Sequence, residues 1–195
     1  MNAHAAVAHP EVGSTGGLDH SILLGVKLGI LSEAMLFAAL FAAYYVIRAA
    51  SPDWSPTNLE RPELLLPGLN TLFLVSSSVT MQFGVRSIAR GDGRALRWLG
   101  ATLLLGTLFL CVQAYEFATN GFGLGDGVFG STFYTLTGFH GAHVLAGLIA
   151  IAVVTNRARR GLISADRYTA VEATSYYWHF VDAVWIVLLT TLYVL

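Results

Sequence analysis

The chain has 195 residues, room for one domain at roughly 150 residues per domain, and its 11 Lys+Arg against 12 Asp+Glu leave a formal net charge of −1. Only 12% of residues are charged and 55% are hydrophobic, where a water-soluble domain carries about 25% charged residues. This balance, with a single cysteine at Cys111, excludes disorder, nucleic-acid binding through a basic face and a disulfide scaffold; at a mean hydropathy of +0.62 the chain reads as an integral membrane protein.

Residues 1–20 carry His4, His9 and His20 among small residues and lack the basic start and short apolar core of a signal peptide. They are expected to form a flexible cytoplasmic tail, and 21–195 a single membrane domain. A bilayer core takes about 20 mostly apolar residues per helix, and five stretches qualify, at about 22–48, 64–88, 96–118, 131–155 and 170–195. The first is interrupted by Lys27 and Glu33, and the connection after it carries Pro52, Pro56 and Pro62. Arg90-Gly-Asp-Gly-Arg94 closes the second gap, the glycine-rich run 120–130 the third, and Arg157 to Arg167 the fourth. Glycine and proline end helices there through positive φ and missing donors. A porin-like barrel is excluded, because its strands would alternate over about ten residues. The expected fold is therefore all-α, a polytopic bundle of five transmembrane helices.

Orientation follows from the cations. Lys27, Arg86, Arg90, Arg94, Arg97, Arg157, Arg159, Arg160 and Arg167 fall on one side of a five-span topology, and only Arg48 and Arg61 on the other. By the positive-inside rule the N-terminus is cytoplasmic and the C-terminus lies on the outer, periplasmic side. Small residues mark expected seams: Gly25 and Gly29 in the first span, Ser76, Ser77, Ser78 and Thr80 in the second, and Gly138, Gly141 and Ala142 in the fourth.

Ionisable groups inside spans cost roughly 2.5–3.5 kcal/mol on insertion scales, so they should face protein or water. Glu33 lies near the middle of the first span, His140 and His143 near the middle of the fourth, and His179 and Asp182 near the middle of the fifth. Each pair is spaced by three residues and so shares a helix face. Glu116 sits near the outer end of the third span, and Glu172 near the inner end of the fifth, not far from Arg167. Four readings of this set are open. Imidazole and carboxylate suit a zinc or iron site, but there is no HExxH, no Glu-x-x-His pair and no thiolate cluster. Haem ligation by His140 or His179 meets bulky neighbours in Phe139, Trp178 and Phe180. A proton or ion path, as in a stand-alone transporter, calls for broken helices or a repeat. In the fourth reading these groups form one buried polar cluster that pairs across helix seams, with Glu33 meeting His140, His143 or Asp182.

Six ordered motifs go further than the physics. They are Leu31-Ser-Glu-Ala-Met-Leu-Phe37, Leu69-Asn-Thr71, Gln113-Ala-Tyr-Glu116, Gly127-Val-Phe-Gly-Ser-Thr-Phe133, Thr137-Gly-Phe-His-Gly-Ala-His-Val144 and Tyr177-Trp-His-Phe-Val-Asp-Ala-Val-Trp185. Together they resemble haem-copper oxidase (cytochrome c oxidase) subunit III over about residues 20–195. The mitochondrial form of that family has seven spans, and this chain is similar to the bacterial form with only the last five.

The resemblance implies a subunit with no catalytic or metal centre of its own, the haems and coppers belonging to partner subunits. Such a subunit packs on oxidase subunit I beside subunit II and any small or supercomplex subunits. It holds bound phospholipid, and it supports proton uptake and durability during oxygen reduction in a bacterial inner membrane. Glu33 matches the family's carbodiimide-reactive carboxylate, and Arg157 and Arg160 match positions that meet lipid phosphates. A quinol oxidase subunit III, a nitric-oxide-reductase-associated homologue and a stand-alone transporter remain as alternatives.

Overall fold

The computed structural model of the chain describes residues 15–51, 54 and 64–194. His4, His9, Arg61 and the prolines of the first connection lie outside the described residues. Five α-helices follow one another: α1 Thr15–Ala50, α2 Leu65–Ala89, α3 Ala95–Thr119, α4 Gly127–Arg159 and α5 Thr169–Leu189, which runs into a π-helical turn at Thr190–Val194. No β-strand forms among the described residues; an isolated bridge joins Ser164 to Arg167 in the α4–α5 loop.

The expected breakers act as backbone devices at one end of the bundle. After α2, Gly91 takes φ +67°, and the N–H groups of Gly91 and Asp92 donate to Ile88 O and Ser87 O at 2.9 and 2.8 Å. After α4, Gly161 takes φ +71°, and Gly161 and Leu162 donate to Ala158 O and Arg157 O at 3.0 Å each. Both are Schellman motifs, which satisfy the last carbonyls of a helix and need a left-handed residue at the position glycine holds. Two helices outrun the expected spans: α1 starts at Thr15 rather than Ile22, and α4 starts at Gly127 rather than Ser131 and ends at Arg159. At about 1.5 Å per residue both are longer than a bilayer core requires.

Four helices, α1 to α4, are long and apolar enough to cross a membrane. The fifth expected span is not among them. Glu172, His179 and Asp182, with Tyr176, Tyr177 and Trp178, dilute its hydropathy, and the packing explains why it can carry them. α5 lies against α1, α2 and α4; α3 closes the ring between α2 and α4; α1 touches α4 only lightly. The α5 side chains Val171, Trp178, Val181, Trp185 and Leu188 are all buried.

The core is organised by Trp178. Its ring lies between two glycine backbones, on α3 and α4: a Cβ added at Gly106 would come within 2.9 Å of Trp178 Cη2, and one at Gly147 within 2.8 Å of Cε3. Trp178 Nε1 donates to Ser77 Oγ at 3.0 Å, and Trp185 Nε1 to Thr71 Oγ1 at 2.8 Å, which fastens α5 to α2. Thr80 and Thr102 hydroxyls meet at 2.8 Å across the α2–α3 seam. The hydroxyls expected in α2 thus face neighbours, apart from exposed Ser76. The glycines expected at seams do not: Gly25, Gly29, Gly138 and Gly141 all face open space among the described residues. Spacing alone cannot tell a glycine opposite a bulky ring from one on an outer face.

Candidate functional site

The intramembrane polar residues do not form one buried cluster. They divide among four places, because residues three apart on a helix differ by about 60° in direction and so can reach different neighbours.

The first place is the α1–α4 seam. Glu33 Oε2 lies 3.0 Å from His143 Nε2, and the side chains keep 39% and 17% of their exposure respectively, so the pair opens onto the bundle surface. His143 Nδ1 is 2.7 Å from the carbonyl of Phe139. A carbonyl only accepts, so Nδ1 carries a hydrogen. The contact between Nε2 and the carboxyl then requires one proton between them. The pair is either imidazolium with carboxylate or imidazole with carboxylic acid, and in both forms it is neutral as a unit. That neutrality lets a carboxyl group sit partly exposed at mid-span. The Phe37 ring packs edge-on against His143 at 4.9 Å and limits access from one side.

His140, one turn before His143, points inward. It is fully buried, stacks on Trp185 with centroids 5.1 Å apart, and meets the Phe109 ring edge-on at 5.9 Å. Neither ring nitrogen has a hydrogen-bond partner among the described residues. Its place is in an aromatic stack, apart from His143.

The third place is the α2–α5 seam. Ser78 Oγ lies 2.8 Å from His179 Nδ1 and hydrogen-bonds Asp182 Oδ2, while His179 Nε2 faces Gln82 Oε1 at 3.4 Å. A serine has one hydrogen to give. With Ser78 donating to the carboxylate, His179 Nδ1–H donates to Ser78, and Nε2 then accepts from Gln82 once the Gln82 amide presents its nitrogen rather than its oxygen. Ser78 and Gln82 complete a chain that the spacing of His179 and Asp182 only half announced. The position of Ser78 in the hydroxyl-rich stretch of α2 was the available signal, and Gln82 carried none.

The fourth place is the other end of the bundle. Buried Glu116 accepts from Tyr193 Oη at 2.7 Å through Oε1, and the Tyr134 hydroxyl donates to Phe122 O at 2.9 Å nearby in sequence. Tyr193 stands in the π-helical turn, where the Thr191 carbonyl, one of the last in the helix, accepts from Tyr44 Oη at 3.2 Å. Glu172, by contrast, accepts from Tyr176 one turn later at 2.9 Å. It forms no ion pair with Arg167 among the described residues. Arg157 and Arg160 are exposed at the end of α4. No group of three or more His, Cys, Asp or Glu side chains converges among the described residues.

This arrangement can hold protons at fixed seams and tie helices together. The comparisons with known proteins give the family. Residues 11–195 match the family model described as cytochrome c oxidase subunit III. The chain is 43% identical to cytochrome c oxidase subunit 3 of Thermostichus vulcanus over 89% of this chain and 87% of the relative. It is 41% identical to the Synechocystis sp. protein of the same name over 99% and 80%, and 42% identical to that of Corynebacterium diphtheriae over 96% and 94%. The chain therefore belongs to the cytochrome c oxidase subunit III family.

Proposed function

We propose that this chain is the subunit III of a cytochrome c oxidase in an aerobic respiratory chain, and that it does no redox chemistry itself. The observation that carries the reading is the family match across residues 11–195. Haem and copper would then reside in partner subunits, with this chain packed on subunit I beside subunit II. The arrangement of nine Lys and Arg on one side against two on the other supports a cytoplasmic N-terminus, an outer C-terminus and five crossings in a bacterial inner membrane. In that topology α5 is the fifth crossing, shielded by its neighbours, and 21–195 is the membrane domain.

The residues fall into roles on this reading. Glu33 and His143 form the carbodiimide-sensitive pair at mid-depth, able to hold one proton beside the surface of the bundle. Ser78, His179 and Asp182 fasten α5 to α2, and Glu116 fastens the C-terminal turn to α3. Exposed Arg157 and Arg160 meet phospholipid phosphates, a task for which the guanidinium fork is suited. The chain thus supports the oxidase by keeping its lipid layer and its proton supply in place.

Deleting this chain from its native membrane tests the reading. The purified remainder of the oxidase should retain its haem spectrum and initial oxygen consumption, then lose activity during turnover faster than the whole complex. Loss of the haem spectrum on deletion, or stoichiometric haem on the isolated chain, would overturn it.

A further inference from the structure

The end of the α2–α3 hairpin holds a feature that the subunit III reading does not use. The Schellman turn at Gly91 reverses the chain so tightly that α3 begins at Ala95, five residues after the α2 cap at Arg90. The reversal gathers Arg86, Arg90 and Arg94 around a cavity of about 230 Å³, which Asp92, Phe83 and Trp98 also line. Phe83 and Trp98 pack ring to ring across the seam, with centroids 5.0 Å apart.

The charges in this cavity are not balanced. Asp92 is committed to one arginine: Arg94 Nε donates to Oδ2 at 2.8 Å and the Arg94 backbone N–H donates to Oδ1 at 3.1 Å. These bonds hold the Asp92 carboxyl below its ordinary range, so it stays an acceptor engaged by Arg94. Arg86 and Arg90 form no ion pair among the described residues, and both are exposed. Two guanidinium groups therefore face the cavity without a counter-charge. On the apolar side, Phe83, Val79 and Leu72 stand at intervals of four and seven along one face of α2. All three are exposed, and they make an apolar strip that runs from the cavity toward the middle of the helix. An anionic head beside a hydrocarbon track is the shape of one class of molecule.

We propose that this cavity binds the phosphodiester headgroup of an anionic phospholipid through Arg86 and Arg90, with an acyl chain lying along Phe83, Val79 and Leu72. Arginine pairs with phosphate oxygens through two parallel N–H donors, and an aromatic pair at headgroup depth suits the interface. The site is separate from Arg157 and Arg160, because no cavity residue comes from α4 or α5. It depends on the chain lying in a bilayer, and stands whether or not the oxidase reading does.

The test uses the purified complex in phosphatidylcholine nanodiscs doped with a photoactivatable phosphatidylglycerol. Crosslinks should map to the segment 72–98, and a phosphatidylcholine probe with the same reactive group should label it about tenfold less. The double variant R86Q/R90Q should lower phosphatidylglycerol labelling about tenfold, the loss expected for charge-assisted bonds. Excess inorganic phosphate should leave the labelling unchanged, since the acyl track contributes to binding. Equal labelling by the two lipids, or an unaltered yield in R86Q/R90Q, would overturn the proposal. Complete displacement by inorganic phosphate would overturn it too, as the mark of a free-anion site. If the double variant fails to assemble, the preference of the unsubstituted complex between the two lipids decides.

Discussion

α1 and α5 are opposites in the same bundle. α1 is 36 residues long and turns Leu24, Leu28, Leu31 and Met35 outward. α5 is shorter, carries Glu172, His179 and Asp182, and buries two tryptophans completely. Composition marks α1 as membrane-crossing and passes over α5. In a soluble protein the most apolar helix would be the most buried, because water drives it inward. Lipid tails are as apolar as leucine, so helices associate through close packing and hydrogen bonds instead. Hydropathy therefore reports which helix turns its side chains outward, while tryptophans, hydroxyls and opposed glycines report which helix is the hub.

The largest expected effect lies at that hub. Trp178→Ala removes a fully buried ring wedged between Gly106 and Gly147, and with it the bond to Ser77. A cost of about 3–5 kcal/mol is expected for such a truncation, read as a steep fall in the denaturant or thermal midpoint of the purified chain. A loss below about 1 kcal/mol, the range of an ordinary surface change, would break the claim that α5 is the hub.

A smaller effect is expected where backbone, not packing, sets the structure. Gly91→Ala places a Cβ in the left-handed region at φ +67°, which costs about 1–2 kcal/mol for a non-glycine residue. An added Cβ there meets nothing within 4 Å, so the penalty is conformational only. Gly91→Asn should recover part of the loss, because asparagine tolerates that region better than alanine. Equal stability of the alanine and asparagine variants would show that the turn is not held in this conformation.

The two kinds of position differ in how far they could be read from sequence. Gly91 and Gly161 were legible as breakers, because helix termination is a local backbone event. The five helices were legible for the same reason, to within a few residues at most ends. Partners across seams were not. Glu33 could be placed near mid-depth, but choosing His143 over His140 or Asp182 requires knowing which helices adjoin and how each is rotated. The division of the polar set into four places has the same origin: a three-residue spacing fixes a side of the helix, but leaves about 60° of freedom that decides between two neighbours. Gly106 and Gly147 carried no spacing signature at all, since what singles them out is a ring contributed by a third helix. Gly25 and Gly29 had the signature and, among the described residues, no ring to receive.

The smallest expected effect closes the contrast with α5. Leu28 is 58% exposed on α1, and in detergent its truncation removes contact mainly with solvent molecules that replace it freely. Leu28→Ala should therefore change the stability of the isolated chain by less than about 0.5 kcal/mol, as for surface substitutions in general, although alanine and leucine differ in size as much as at many core sites. The measurement is the same midpoint used for Trp178→Ala, made on both variants in one detergent. A fall approaching that of the tryptophan variant would mean that α1 is held by its leucine face rather than by Glu33, Phe37 and Tyr44. The opposition between an apolar periphery and a polar hub would then fail at its first helix.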